Sequence, residues 1–83
     1  MKKQDFRSAA ARGLIKRSVK IFGHRTSVSL EPAFWEALKM IAREKGYSLH
    51  KLIEKTDQNR TGNLSSALRL LVLSELKDKL KNR

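Results

Sequence analysis

Within HRTSVSLEPAFWEAL, residues 24 to 38, the side chains able to make specific polar contacts alternate. Arg25, Ser27 and Ser29 fall on one face of an extended segment, and Thr26, Val28 and Leu30 fall on the other. An arginine presents a rigid fork of hydrogen-bond donors, and serines are small, adaptable donors and acceptors. This is recognition chemistry. The residue sets that would carry catalysis are missing: there is no glycine-rich phosphate loop, no HExxH, no Cys/His ligand set and no carboxylate pair in a segment able to form a pocket. His24 and His50 are the two histidines, and they are far apart in sequence. We therefore expect no enzyme, no metal and no cofactor.

A second candidate lies at Ser48, which is placed to cap a helix. A capped helix amino terminus with free N–H groups is a ready phosphate site, offered here by Ser48 and by the backbone of Leu49 and His50, with Lys51 beside them. The plain alternative is an ordinary capped helix.

The elements that must position these groups are short. The strand Arg25–Leu30 is stopped by Glu31-Pro32, and proline suits the first position of a following helix. That helix should run from about Pro32 to Lys45, with Phe34, Trp35, Leu38, Ile41 and Ala42 as its apolar stripe and Gly46 as its left-handed terminator. A second helix, roughly Leu49 to Thr56, turns Leu49, Leu52 and Ile53 inward. Asp57 to Asn63 reads as a loop. A third helix, Leu64 to Leu80, capped by Asn63 or Ser65, is apolar on nearly every side and should be buried from two directions. Ahead of the strand, Ser18–Phe22 alternates again. Gly23-His24 could turn it into a hairpin, or Gly23 could be a bulge in one longer strand; we expect the extended form.

A lone strand leaves backbone groups unpaired, and nothing later in the chain reads as its partner. The same strand of a second copy is the expected partner. In an 83-residue chain a dimer is also expected on size, with no well-folded monomer. Val28, Leu30, Trp35, Leu38, Leu52, Leu68, Leu71 and Val72 are the candidates for its shared core.

The formal net charge is +11, which makes a polyanion the first partner to consider. Residues 1 to 25 hold eight Lys or Arg against Asp5, net +7, leaving +4 for the remaining fifty-eight. Residues 1–17 are expected to be a flexible basic arm tracking phosphates, the plain alternative being a frayed terminus that does nothing specific, with Lys16, Arg17, Lys20 and His24 as further phosphate contacts. The domain proper should span 18–80, followed by a tail at 81–83. Without cysteine, a long apolar run or a secretory h-region, a cytoplasmic, nucleoid-associated protein is expected, with no membrane partner.

The order of these features resembles the ribbon-helix-helix family of DNA-binding proteins across roughly residues 18 to 76, and within it a bacterial subgroup carrying HRTSVSLEP, FWEAL and GNLSSALRL. The resemblance implies a mainly α fold: one strand and three helices, intertwined as a homodimer whose two strands pair into an antiparallel ribbon laid in the major groove. It also implies Arg25, Ser27 and Ser29 as base readers and the second helix's amino end as a clamp on the DNA backbone. The implied function is sequence-specific transcriptional regulation, with double-stranded DNA and a second copy as partners and higher order possible on DNA. The rivals are an antitoxin, which would bring a toxin partner and is less favoured because only a short basic end follows the third helix, and a nucleoid or RNA-binding protein acting through charge alone.

Overall fold

The computed structural model describes residues 13 to 82. Five elements follow in order: β1 (Ile15–Ile21), β2 (His24–Leu30), α1 (Pro32–Lys45), α2 (Leu49–Asn59) and α3 (Leu64–Lys81). Most of the arm expected at 1–17 lies outside the described residues, while Ile15, Lys16 and Arg17 belong to β1.

The expected single strand is in fact two. β1 and β2 pair antiparallel within one chain, from Ile15 opposite Leu30 to Ile21 opposite His24. The extended reading of Ser18–Phe22 is thus overturned; the hairpin alternative holds, but with its turn at Phe22-Gly23 instead of Gly23-His24, which already belongs in part to β2. The strand has a partner inside its own chain, so the argument that it needs a second copy's strand is removed. The reason lies in the two-residue turn. Phe22 has φ 51° and Gly23 φ 84°, the pair of positive values that marks the tight hairpin turn whose twist matches its strands.

The helices begin and end where their capping residues dictate. Pro32 opens α1 after the extended Glu31, and Gly46 closes it at φ 76°, letting the Tyr47 N–H reach Ala42 O at 2.8 Å. Ser48 caps α2 by accepting from Lys51 N at 3.0 Å, and Asn63 caps α3 by accepting from Ser66 N at 3.0 Å. One boundary departs from expectation. α2 runs three residues beyond Thr56, because Asp57 to Asn59, loop-forming by composition, continue its hydrogen bonding. Arg60 then ends it by donating Nε to Asp57 Oδ1 at 2.6 Å.

The core sits between the inward face of the hairpin and all three helices. Ile21, Val28 and Leu30 from the hairpin pack with Trp35, Leu38, Ile41 and Ala42 of α1, Leu52 and Ile53 of α2, and Leu64, Leu68 and Val72 of α3. Of the residues expected in a shared core, all but the half-buried Leu71 are already buried within one chain. α3 is only partly covered: Leu70, Leu73, Leu76 and Leu80 are each more than half exposed, as is Met40 on α1.

Arg69 ties α3 to the strand–helix junction. Its Nε donates to Glu31 Oε1 at 3.0 Å, and its guanidinium lies 5.7 Å from the Phe34 ring centre. The hydrogen bond from Arg69, then the one from its own backbone, holds the Glu31 carboxyl below the ordinary carboxylate value. A depressed folded-state value means that the contribution is complete above the unfolded pKa and is lost as pH falls through the folded one. Melting temperatures taken across the acidic range should therefore decline less steeply in Arg69→Met than in the parent chain. Parallel curves would show that the pair contributes nothing.

Candidate nucleic-acid interface

Paired residues of an antiparallel ladder project to the same side of the sheet. The register therefore sorts the hairpin into two faces. Lys16 opposite Ser29, Ser18 opposite Ser27 and Lys20 opposite Arg25 make the outward face. Three cations and three hydroxyls stand there, and no acid. Lys16, Ser18, Lys20, Arg25 and Ser27 are exposed, while Ser29 is half-buried. The inward face carries Ile15, Arg17, Val19 and Ile21 opposite Leu30, Val28, Thr26 and His24.

Two side chains bolt this ribbon to the helices. Trp35 Nε1–H donates to Ile15 O at 3.0 Å, with its ring buried under the sheet. On the other side, His50 Nε2 lies 2.6 Å from Lys20 O. A carbonyl can only accept, so Nε2 carries the proton, and Nδ1 is left 3.9 Å from Glu54 Oε2. His50 belongs to the first turn of α2, so this bond fixes the amino end of that helix beside the hairpin. The N–H groups of Leu49 and His50, which have no intrahelical acceptor by geometry, therefore lie beside β1.

The free edge of β2 can be read from one contact. Ser29 N donates to Ser65 Oγ at 3.3 Å, so its N–H points away from β1. By the two-residue alternation of an antiparallel ladder, the N–H groups of Arg25 and Ser27 point the same way. Ser65 thus occupies one end of this edge.

The residues expected from sequence do not all lie on one surface. Arg25, Ser27 and Ser29 share the outward face, and Lys16 and Lys20 join them there instead of flanking them. Arg17 is on the inward side, with its guanidinium 4.9 Å from the Trp35 ring centre. His24 is exposed at the turn, on the inward side of the ladder. Ser48, Leu49, His50 and Lys51 form the first turn of α2 and its cap. Ser18 was missed. Its signal was the Ser18–Phe22 alternation, which places it on the polar face once the turn is known.

What the arrangement can do is grip an anionic, hydrogen-bonding surface. The outward face offers charge and adaptable donors together, and the α2 terminus adds backbone donors at its flank. Among the described residues no helix is long and apolar enough to cross a membrane. No curated protein matches the chain significantly. Among solved structures, an uncharacterized protein from Bordetella pertussis Tohama I is similar, with a TM-score of 0.75 and 29% identity over 95% of this chain and 70% of that one. A family model described as a ribbon-helix-helix domain matches residues 14–76. Since that match takes in every residue of the polar face and the amino end of α2, the chain belongs to the ribbon-helix-helix family.

Proposed function

We propose that this chain is a sequence-specific DNA-binding transcriptional regulator, acting as a homodimer that lays the outward face of each hairpin in the major groove. The observation that carries this is the composition of that face. Lys16, Lys20 and Arg25 alternate with Ser18, Ser27 and Ser29, without a carboxylate. A two-stranded ribbon fits the major groove, where every base pair presents a distinct set of donors and acceptors. Arg25, Ser27 and Ser29 read bases in this arrangement. Lys16, Lys20 and the backbone of Leu49 and His50 take phosphates.

Selection of duplexes from a random library, followed by titration against the winner and a scrambled duplex of equal length, tests the reading. The expected result is a short repeated half-site bound far more tightly than the scramble. Equal affinities would leave a charge-driven binder and overturn it.

The second copy is assigned to α3. Leu70, Leu73, Leu76 and Leu80 leave an apolar surface that a water-facing helix would not carry. Because the core is buried within one chain, against the expectation of no well-folded monomer, Leu73→Asp should leave the domain folded and shift sedimentation from dimer to monomer at micromolar concentration. A dimer that persists would place the interface elsewhere.

A further inference from the structure

The tip of the hairpin runs against its own turn chemistry. The first central residue of this turn type takes Asn, Asp or Gly, because φ must be positive there. This chain has Phe22, at φ 51°. A bulky side chain in the left-handed region is an outlier in folded proteins. Its strain is not offset by burial: Phe22 is 58% exposed and takes no part in the core. The turn thus accepts two disadvantages, a strained backbone and an aromatic ring in water, at the leading end of the polar face. Strained residues that persist in this way concentrate at functional sites.

The surroundings of the ring indicate what it meets. Lys20, His24 and Arg25 flank it in sequence, and Lys20 and Arg25 are paired on the outward face. Phe22 stands at the tip directly after β1, its left-handed backbone taking it out of the strand's alternation. A ligand drawn by those cations that also touches this ring combines negative charge with an apolar feature, and in duplex DNA the phosphates supply the charge. In the major groove, the apolar feature on a base edge is the thymine 5-methyl group.

We propose that Phe22 is an apolar base reader, contacting a thymine methyl at the outer end of the footprint of each hairpin. This rests on the DNA-binding reading above. It adds a specificity-determining residue outside the polar face, and it explains why the turn lacks the asparagine that would relax it.

The test uses the duplex selected by the full chain and a set of copies in which each thymine is replaced singly by uracil, which removes only the methyl. Wild-type protein should lose roughly fourfold in affinity at one thymine of each half-site, the worth of one methyl group returned to water. Phe22→Asn should bind thymine and uracil equally at that position, while its melting temperature rises by a few degrees because asparagine suits the turn. Phe22→Leu should keep part of the discrimination. If the wild-type and Asn proteins respond identically to every replacement, the proposal is wrong. The same holds if Phe22→Asn changes the sedimentation of the free protein, since the ring would then be covered by another copy. Failure of the chain to prefer any duplex is a different result, and it would remove the DNA-reading proposal itself.

Discussion

Trp35→Ala should be the most damaging single substitution in this domain. The ring is 2% exposed and lies under the hairpin, with Arg17 against it and its N–H given to Ile15 O. Truncating a buried tryptophan costs about 3 to 5 kcal/mol. That is a large share of the roughly 4 to 12 kcal/mol that a chain of this size has in total. The expected outcome in urea is a midpoint shifted to a much lower concentration, with the hairpin loosened from α1. Trp35→Phe separates the two contributions. It keeps most of the apolar volume but removes the indole N–H that Ile15 O accepts, for a loss of about 1 kcal/mol. Circular dichroism melts of both variants are the check, and an Ala variant melting within a few degrees of the parent would show that Trp35 does not anchor the sheet.

Arg25→Ala should have the largest effect on binding, with almost none on stability. Its side chain stands on the outward face, exposed, with Lys20 opposite. Loss of a bidentate guanine contact costs about 1 to 3 kcal/mol on the preferred site and relaxes discrimination at one base position in each half-site. Ser27→Ala should act in the same direction, more weakly. Ser29 is the least accessible of the three, being half-buried with its N–H held by Ser65. Titration against the selected and scrambled duplexes, with melts run alongside, decides among roles. Equal weakening on both duplexes would make Arg25 a phosphate contact. Unfolding would mean that the two faces of the hairpin are assigned the wrong way round.

The helices were legible because their signals are local. Pro32, Gly46, Ser48 and Asn63 act on their own turns, and the apolar stripe of α1 is wide enough to name its buried side. The faces of β2 followed equally from alternation. The partner of β2 did not. Phe22-Gly23 is a poor match to the usual turn pair and carries no turn signal of its own, so the sequence points to Gly23-His24 or to a bulge, and the lysine and arginine at 16 and 17 give the start of β1 the composition of a loose arm. A strand without a visible partner in its own chain points to a second copy as the source of its neighbour. The inward position of Arg17 was hidden for the same reason, since facing depends on register and register on the turn. The end of α2 was misjudged on composition: Asp57 to Asn59 favour loops, yet the helix already begun at Ser48 carries through them.

The two-residue connection between β1 and β2 also bears on how quickly the protein is ready to act. Strands joined by so short a link meet in about 1 to 10 μs, at a rate that does not depend on how many other molecules are present. A ribbon built from two chains could close no faster than those chains collide, and at low copy number that encounter would dominate its maturation. Here the six side chains of the polar face are brought together by a first-order step. A newly made molecule therefore carries the complete polar face before it has met its first neighbour.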